Sequence, residues 1–122
     1  VKTDEPAFKE VDGNFLLTEL ILMDDEEFRR RFKGSPIKRI KRRGLLRNVA
    51  VALGNSKNLQ SVPFLIKALK DKEPLIRAHT VWALGELLLF ESIALLDGKL
   101  AAETEPMVLQ ELDGLRQRYL AG

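Results

Sequence analysis

At 122 residues, with 45% of them hydrophobic, the chain is long enough for one domain around a single buried core. Without cysteine it can hold neither a disulfide nor a thiolate-bound metal or cluster, and nothing in it marks an oxidising compartment. The formal net charge of +2 is small but unevenly spread: residues 28–70 hold 13 of the 20 basic residues and none of the 18 acidic ones. Val1 in place of Met suggests a piece of a longer polypeptide. No apolar run approaches the roughly 20 residues that span a bilayer, and the start lacks a signal-peptide pattern, so a cytoplasmic location without a membrane partner is expected.

In chain order, residues 1–13 are polar, carry Pro6 and Gly13, show no helical or strand period, and read as a linker or arm. Asn14 is the expected N-cap of a short helix rich in Phe15, Leu16, Leu17, Leu20, Ile21 and Met23. Asp24 caps a second helix, with Glu27 at the capping-box position and Phe28 and Phe32 on its buried face. Gly34 ends it, and Ser35-Pro36 restarts the chain as cap and first helical position. A short turn from Pro36 is expected to bury Ile37 and Ile40 and to expose Lys38, Arg39, Lys41 and Arg42, with Gly44 breaking or bending the helix. The next helix, 43–53, places Leu46, Val49, Ala50 and Leu53 on one face and is expected to stop at Gly54-Asn55.

Beyond a polar turn, Val62, Leu65, Ile66 and Leu69 fall at i, i+3, i+4 and i+7 of a further helix. Pro74 starts one that is apolar almost all round, and 92–103 and 106–120 form a last pair. Two of these stretches repeat. Ser61-Val62-Pro63-Phe64-Leu65 aligns with Ser92-Ile93-Ala94-Leu95-Leu96 at an offset of 31, and Glu73-Pro74-Leu75-Ile76 with Glu105-Pro106-Met107-Val108 at 32. A helix pair recurring at this period predicts an all-α chain, a short α-solenoid over about 43–122 within a single domain 14–122 whose basic half is 28–70, and the repeat words DKEPLIRAHTVWALGEL and RNVAVALGN resemble HEAT-like repeats.

A solvated helical surface ordinarily mixes signs, because opposite charges four residues apart support each other. The basic half forgoes that support, so a polyanionic partner is expected, nucleic acid being the commonest. The candidate binding residues are Lys38, Arg39, Lys41, Arg42, Arg43 and Arg47, a fixed positive ridge held by the apolar half of its helix. Such cations hold phosphates with salt-sensitive affinity that is largely blind to sequence. The alternative for any basic run is a merely solvated face, and Arg29, Arg30 and Arg31 cannot all face one partner.

The words GSPIKRIKRRGLLRNVAVALGN, DKEPLIRAHTVWALGEL and VPFLIKAL resemble the C-terminal HEAT-like region of bacterial epoxyqueuosine reductases. That resemblance implies a tRNA-binding appendage, tRNA as partner, and an upstream catalytic domain of the same polypeptide carrying two [4Fe–4S] clusters and cobalamin. It implies no catalytic centre and no cofactor in this chain. Two other function classes stand beside it: a protein-interaction scaffold, and an enzyme built on a helical-repeat scaffold. The last finds little here, since His79 is the lone histidine and a metal site needs companions. His79 is expected to be hydrogen-bonded at the solenoid edge, Trp82 to sit in the core, and Asn48 to bond backbone groups of the adjacent repeat. Gly54 and Gly85, at matching positions, are expected where helices approach closely.

Overall fold

The structure, a computed structural model, describes residues 13–120. The expected arm therefore lies outside the described residues, save Gly13, which opens the first helix. Helix α1 (Gly13–Leu20) starts one residue ahead of the cap expected at Asn14, and Leu20, Ile21 and Met23 are buried behind it. In α2 (Asp25–Arg31) the Asp24 carboxylate accepts from the Glu27 N–H at 2.8 Å, the expected cap. The rings of Phe28 and Phe32 pack at a tilt of 47° with centroids 5.2 Å apart.

Pro36–Ile40 forms a 3-10 turn, and α3 runs from Lys41 to Ser56. Two expectations fail here. Gly44 does not break the helix; the reversal falls at Lys41, whose φ of 65 is the left-handed side. Gly54-Asn55 does not end it either, because Lys57 (φ 59) supplies the left-handed stop. Gly54 has another task. A Cβ there would lie 2.7 Å from Trp82 Cζ3 and 2.9 Å from the Ala83 backbone, so α3 can approach α5 (Pro74–Leu88) closely only through a glycine. Gly85 repeats this at the next junction, against Leu115 of α7 (Pro106–Tyr119). The close approach expected of both glycines is what the structure has.

The second helix of each pair stacks on the next: α3 packs on α5 and α5 on α7. The first helices, α4 (Val62–Ala68) and α6 (Ser92–Lys99), are shorter and lean on α5. Helix α5 is thus covered on several sides, as its apolar circumference requires, with Ile76, Val81, Ala83 and Leu84 at zero exposure. No strand occurs among the described residues, and the fold is the all-α solenoid that the repeat predicted. The stretch Pro74–Lys99 is long and apolar enough to cross a membrane by composition, contrary to the reading of the bare sequence. It does not run straight, however: Leu89, at φ 57, turns α5 into α6, and half of that apolar window is buried in the stack.

Each pair is joined at one edge of the stack by a turn built the same way. The Asp71 carboxylate accepts from the Glu73 N–H at 2.9 Å, and the Glu103 carboxylate from the Glu105 N–H at 3.1 Å. A proline then opens the second helix where no N–H is needed.

Candidate nucleic-acid interface

The ridge is assembled from two pieces. Ser35 Oγ accepts from the Ile37 N–H at 3.2 Å and starts the 3-10 turn, which carries Lys38 and Arg39. Lys41 reverses the chain, and α3 carries Arg43 and Arg47, four apart and so on one face. Lys38, Arg39, Lys41 and Arg43 are exposed; Arg47 is half-buried, its Nε donating to Asn48 Oδ1 at 3.0 Å. None of these five forms an ion pair with a described acid. Ile40, expected inside, is 47% exposed, and Ile37 is half-buried. Asn48 is exposed and serves its neighbour Arg47, not the backbone of the adjacent repeat.

Arg42 is the correction to the ridge. It is 8% exposed; its Nε donates to the Met23 carbonyl at 2.8 Å, a terminal nitrogen bonds the Asp71 carboxylate, and Asp25 lies 3.9 Å away. The cause is register. Arg42 stands one turn before Leu45 and Leu46 and two before Val49, on the face that α3 turns inward, and it reaches the turn after α4. A guanidinium can be buried there because its donors meet a carbonyl and carboxylates. It is a clamp between repeats and is not open to a nucleic acid.

The next junction repeats the clamp with other residues, which sequence reasoning missed. Arg77 of α5 forks onto both oxygens of Glu103 at 2.9 Å each and donates to the Asp71 carbonyl at 2.8 Å. The Arg77 guanidinium holds the Glu103 carboxyl below the usual carboxylate range, and Glu103 in turn raises Arg77. The turn acids Asp71 and Glu103, 7% and 8% exposed at their side chains, therefore point inward. Their equivalence at the 32-residue offset was the available signal.

The HEAT repeats family model matches residues 42–116. The chain belongs to the HEAT repeats family. It is moreover a HEAT-like region related to epoxyqueuosine reductase. The reductase of Xanthomonas campestris pv. campestris is 38% identical over 88 residues, which cover 70% of this chain and 25% of the relative. That of Pseudomonas aeruginosa is 42% identical over 72 residues, 58% of this chain and 20% of the relative. That of Escherichia coli is 36% identical over 70 residues, 57% of this chain and 18% of the relative. The chain thus spans a quarter or less of the length of these relatives. No solved structure matches it significantly.

Within this HEAT-like region the remaining singled-out residues have structural partners. His79 Nδ1 lies 2.9 Å from the Leu75 carbonyl, so it carries the proton, the expected edge hydrogen bond. Trp82 packs half-buried against the core beside Gly54. The iron–sulfur clusters that the resemblance implies for the whole enzyme do not fit these residues. The sequence has no thiolate, and among the described residues no group of three His, Cys, Asp or Glu side chains could hold a metal.

Proposed function

We propose that this chain is the tRNA-binding HEAT-like region of an epoxyqueuosine reductase-like polypeptide, and that it holds the RNA by its phosphate backbone. Lys38, Arg39, Lys41, Arg43 and Arg47 make the contacts. Chemistry, with its clusters and cobalamin, belongs to an upstream domain of the same polypeptide. One observation carries the reading: five cations of one short segment stand in or near solvent with no described acid paired to them, while the sixth, Arg42, is withdrawn to brace the scaffold. Cations left in this state attract a polyanion by releasing its condensed counterions. Arg43 and Arg47, about 6 Å apart along the helix axis, can fork onto successive phosphates of one strand.

The test is tRNA binding by R39E/R43E/R47E across a salt series. Affinity is expected to fall at least about tenfold and the salt slope to flatten by about 2–3, with helicity unchanged. Binding equal to wild type would remove the ridge from the interface. A second reading, a protein-interaction scaffold, is favoured by Leu59 and Phe90. They occupy equivalent repeat positions at the opposite turns and are 60% and 58% exposed. It predicts a partner whose binding is lost in L59S/F90S and is nearly indifferent to salt.

A further inference from the structure

The ridge ends in sequence at Arg47, but the edge of the stack on which it begins continues. Arg42 bonds Asp71, and Arg77 bonds both the Asp71 carbonyl and the Glu103 carboxylate, so the turns of successive repeats line up beside the start of α3. Lys67 stands in the last turn of α4 and Lys70 in the turn that follows it, and Lys99 is the last residue of α6. These three lysines, with Ile66 and Leu69 as floor, line one depression of about 160 Å³. All three are exposed, and none forms an ion pair with a described acid.

We infer that this depression is a second phosphate-binding site, which continues the ridge along the turn edge into the second and third repeats. The inference rests on the proposed RNA-binding role and extends the footprint of the same partner. A helix dipole accounts for one lysine at each helix end, but not for three lysines lining one hollow, two of them three residues apart and of like charge. The acids that could have neutralised them, Asp71 and Glu103, are turned inward by Arg42 and Arg77. On the α2 side, Lys67 and Lys70 also border a larger groove with Asp24, Asp25 and Glu26. There Asp24 caps α2, Asp25 is bonded by Lys72, which holds its carboxyl below the usual value, and Glu26 forms no ion pair with a described cation. The hollow is smaller than the roughly 300 Å³ of a small-molecule site, and a shallow apolar floor bordered by three lysines suits a backbone phosphate held at its rim.

The experiment compares three charge variants of the full chain for binding to a tRNA transcript over a salt series. They are the lysine triple K67E/K70E/K99E, the ridge triple R39E/R43E/R47E, and a control of Q60E/Q110E/Q117E outside both surfaces. The lysine triple is expected to lose at least about tenfold in affinity and about 2–3 in salt slope, and the control to lose less than about threefold. A lysine triple that binds like the control overturns the second site; if the ridge triple is still defective, the ridge reading survives alone. Binding unaltered in both triples overturns both. Should the lysine triple lose helicity, the single variants K67E, K70E and K99E decide, with about one unit of slope expected from each and none if the inference is wrong.

Discussion

The junction between the first and second repeats and that between the second and third do the same job with different materials. Both bring a glycine against the following helix and both carry an arginine across to a turn acid. At the first, Arg42 divides its donors between the Met23 carbonyl, Asp71 and the more distant Asp25. At the second, Arg77 spends two donors on one carboxylate, a fork onto Glu103, and reaches back to Asp71 only through its carbonyl. The first clamp therefore ties three chain segments together and the second chiefly two. The first is also drawn from a basic run, so the charge pattern that suggests RNA binding contains one residue serving the fold.

This difference is broken most sharply by Arg42→Ala. It leaves the buried Asp71 carboxylate without its guanidinium and the Met23 carbonyl without a donor, and is expected to cost about 3–5 kcal/mol. Urea unfolding monitored by circular dichroism measures it, and a loss under about 1 kcal/mol would mean that the pair is not buried in solution. The second clamp is read through acid. Glu103 is held below its ordinary value of 4.5, so the stability it contributes is present above that value and is lost as pH falls through the lowered one. Glu103→Gln is expected to lower stability by about 1.5–3 kcal/mol at neutral pH, the worth of a charge-assisted bond. The gap from wild type should close in that acid window, and a gap independent of pH would assign the loss to packing.

The glycines sharpen the comparison further. At Gly54 the obstacle to a Cβ includes Ala83 backbone, which cannot move alone; at Gly85 it is the end of the Leu115 side chain, which can change rotamer. Gly54→Ala is expected to cost about 1–2 kcal/mol after the gain in helix propensity, and Gly85→Ala less. Equal melting temperatures for the two variants would contradict that ordering.

What could be read before folding was whatever repeats. The offset of 31–32 residues placed the helix pairs, the matched glycines and the terminal helix with Val108, Leu112 and Leu115 inward. Long-range pairing was illegible because nothing local to Arg42 indicates that Asp71, 29 residues on, will stand beside it. The periodicity did hold the warning: Arg42, Leu45, Leu46 and Val49 share one helical face, and a register begun at Arg42 would have turned it inward. Beginning the helix at 43 concealed this. A charge count along the chain likewise bounds the basic half at Lys70, whereas Lys99 joins Lys67 and Lys70 only once the repeats stack.

The smallest expected effect isolates fold from function within two adjacent residues. Arg43 is exposed and unpaired among the described acids, so Arg43→Ala should change stability by no more than about 0.5 kcal/mol. It should nevertheless weaken tRNA binding and flatten its salt slope by about one unit, if the phosphate contact proposed for Arg43 is made. Arg42→Ala should do the reverse in kind: unfold the domain readily and, at temperatures where it stays folded, leave the salt slope as in wild type. If the two substitutions instead changed stability alike, or binding alike, the inward clamp and the outward ridge would not be separate devices, and the basic segment would have to be read as one undivided charge.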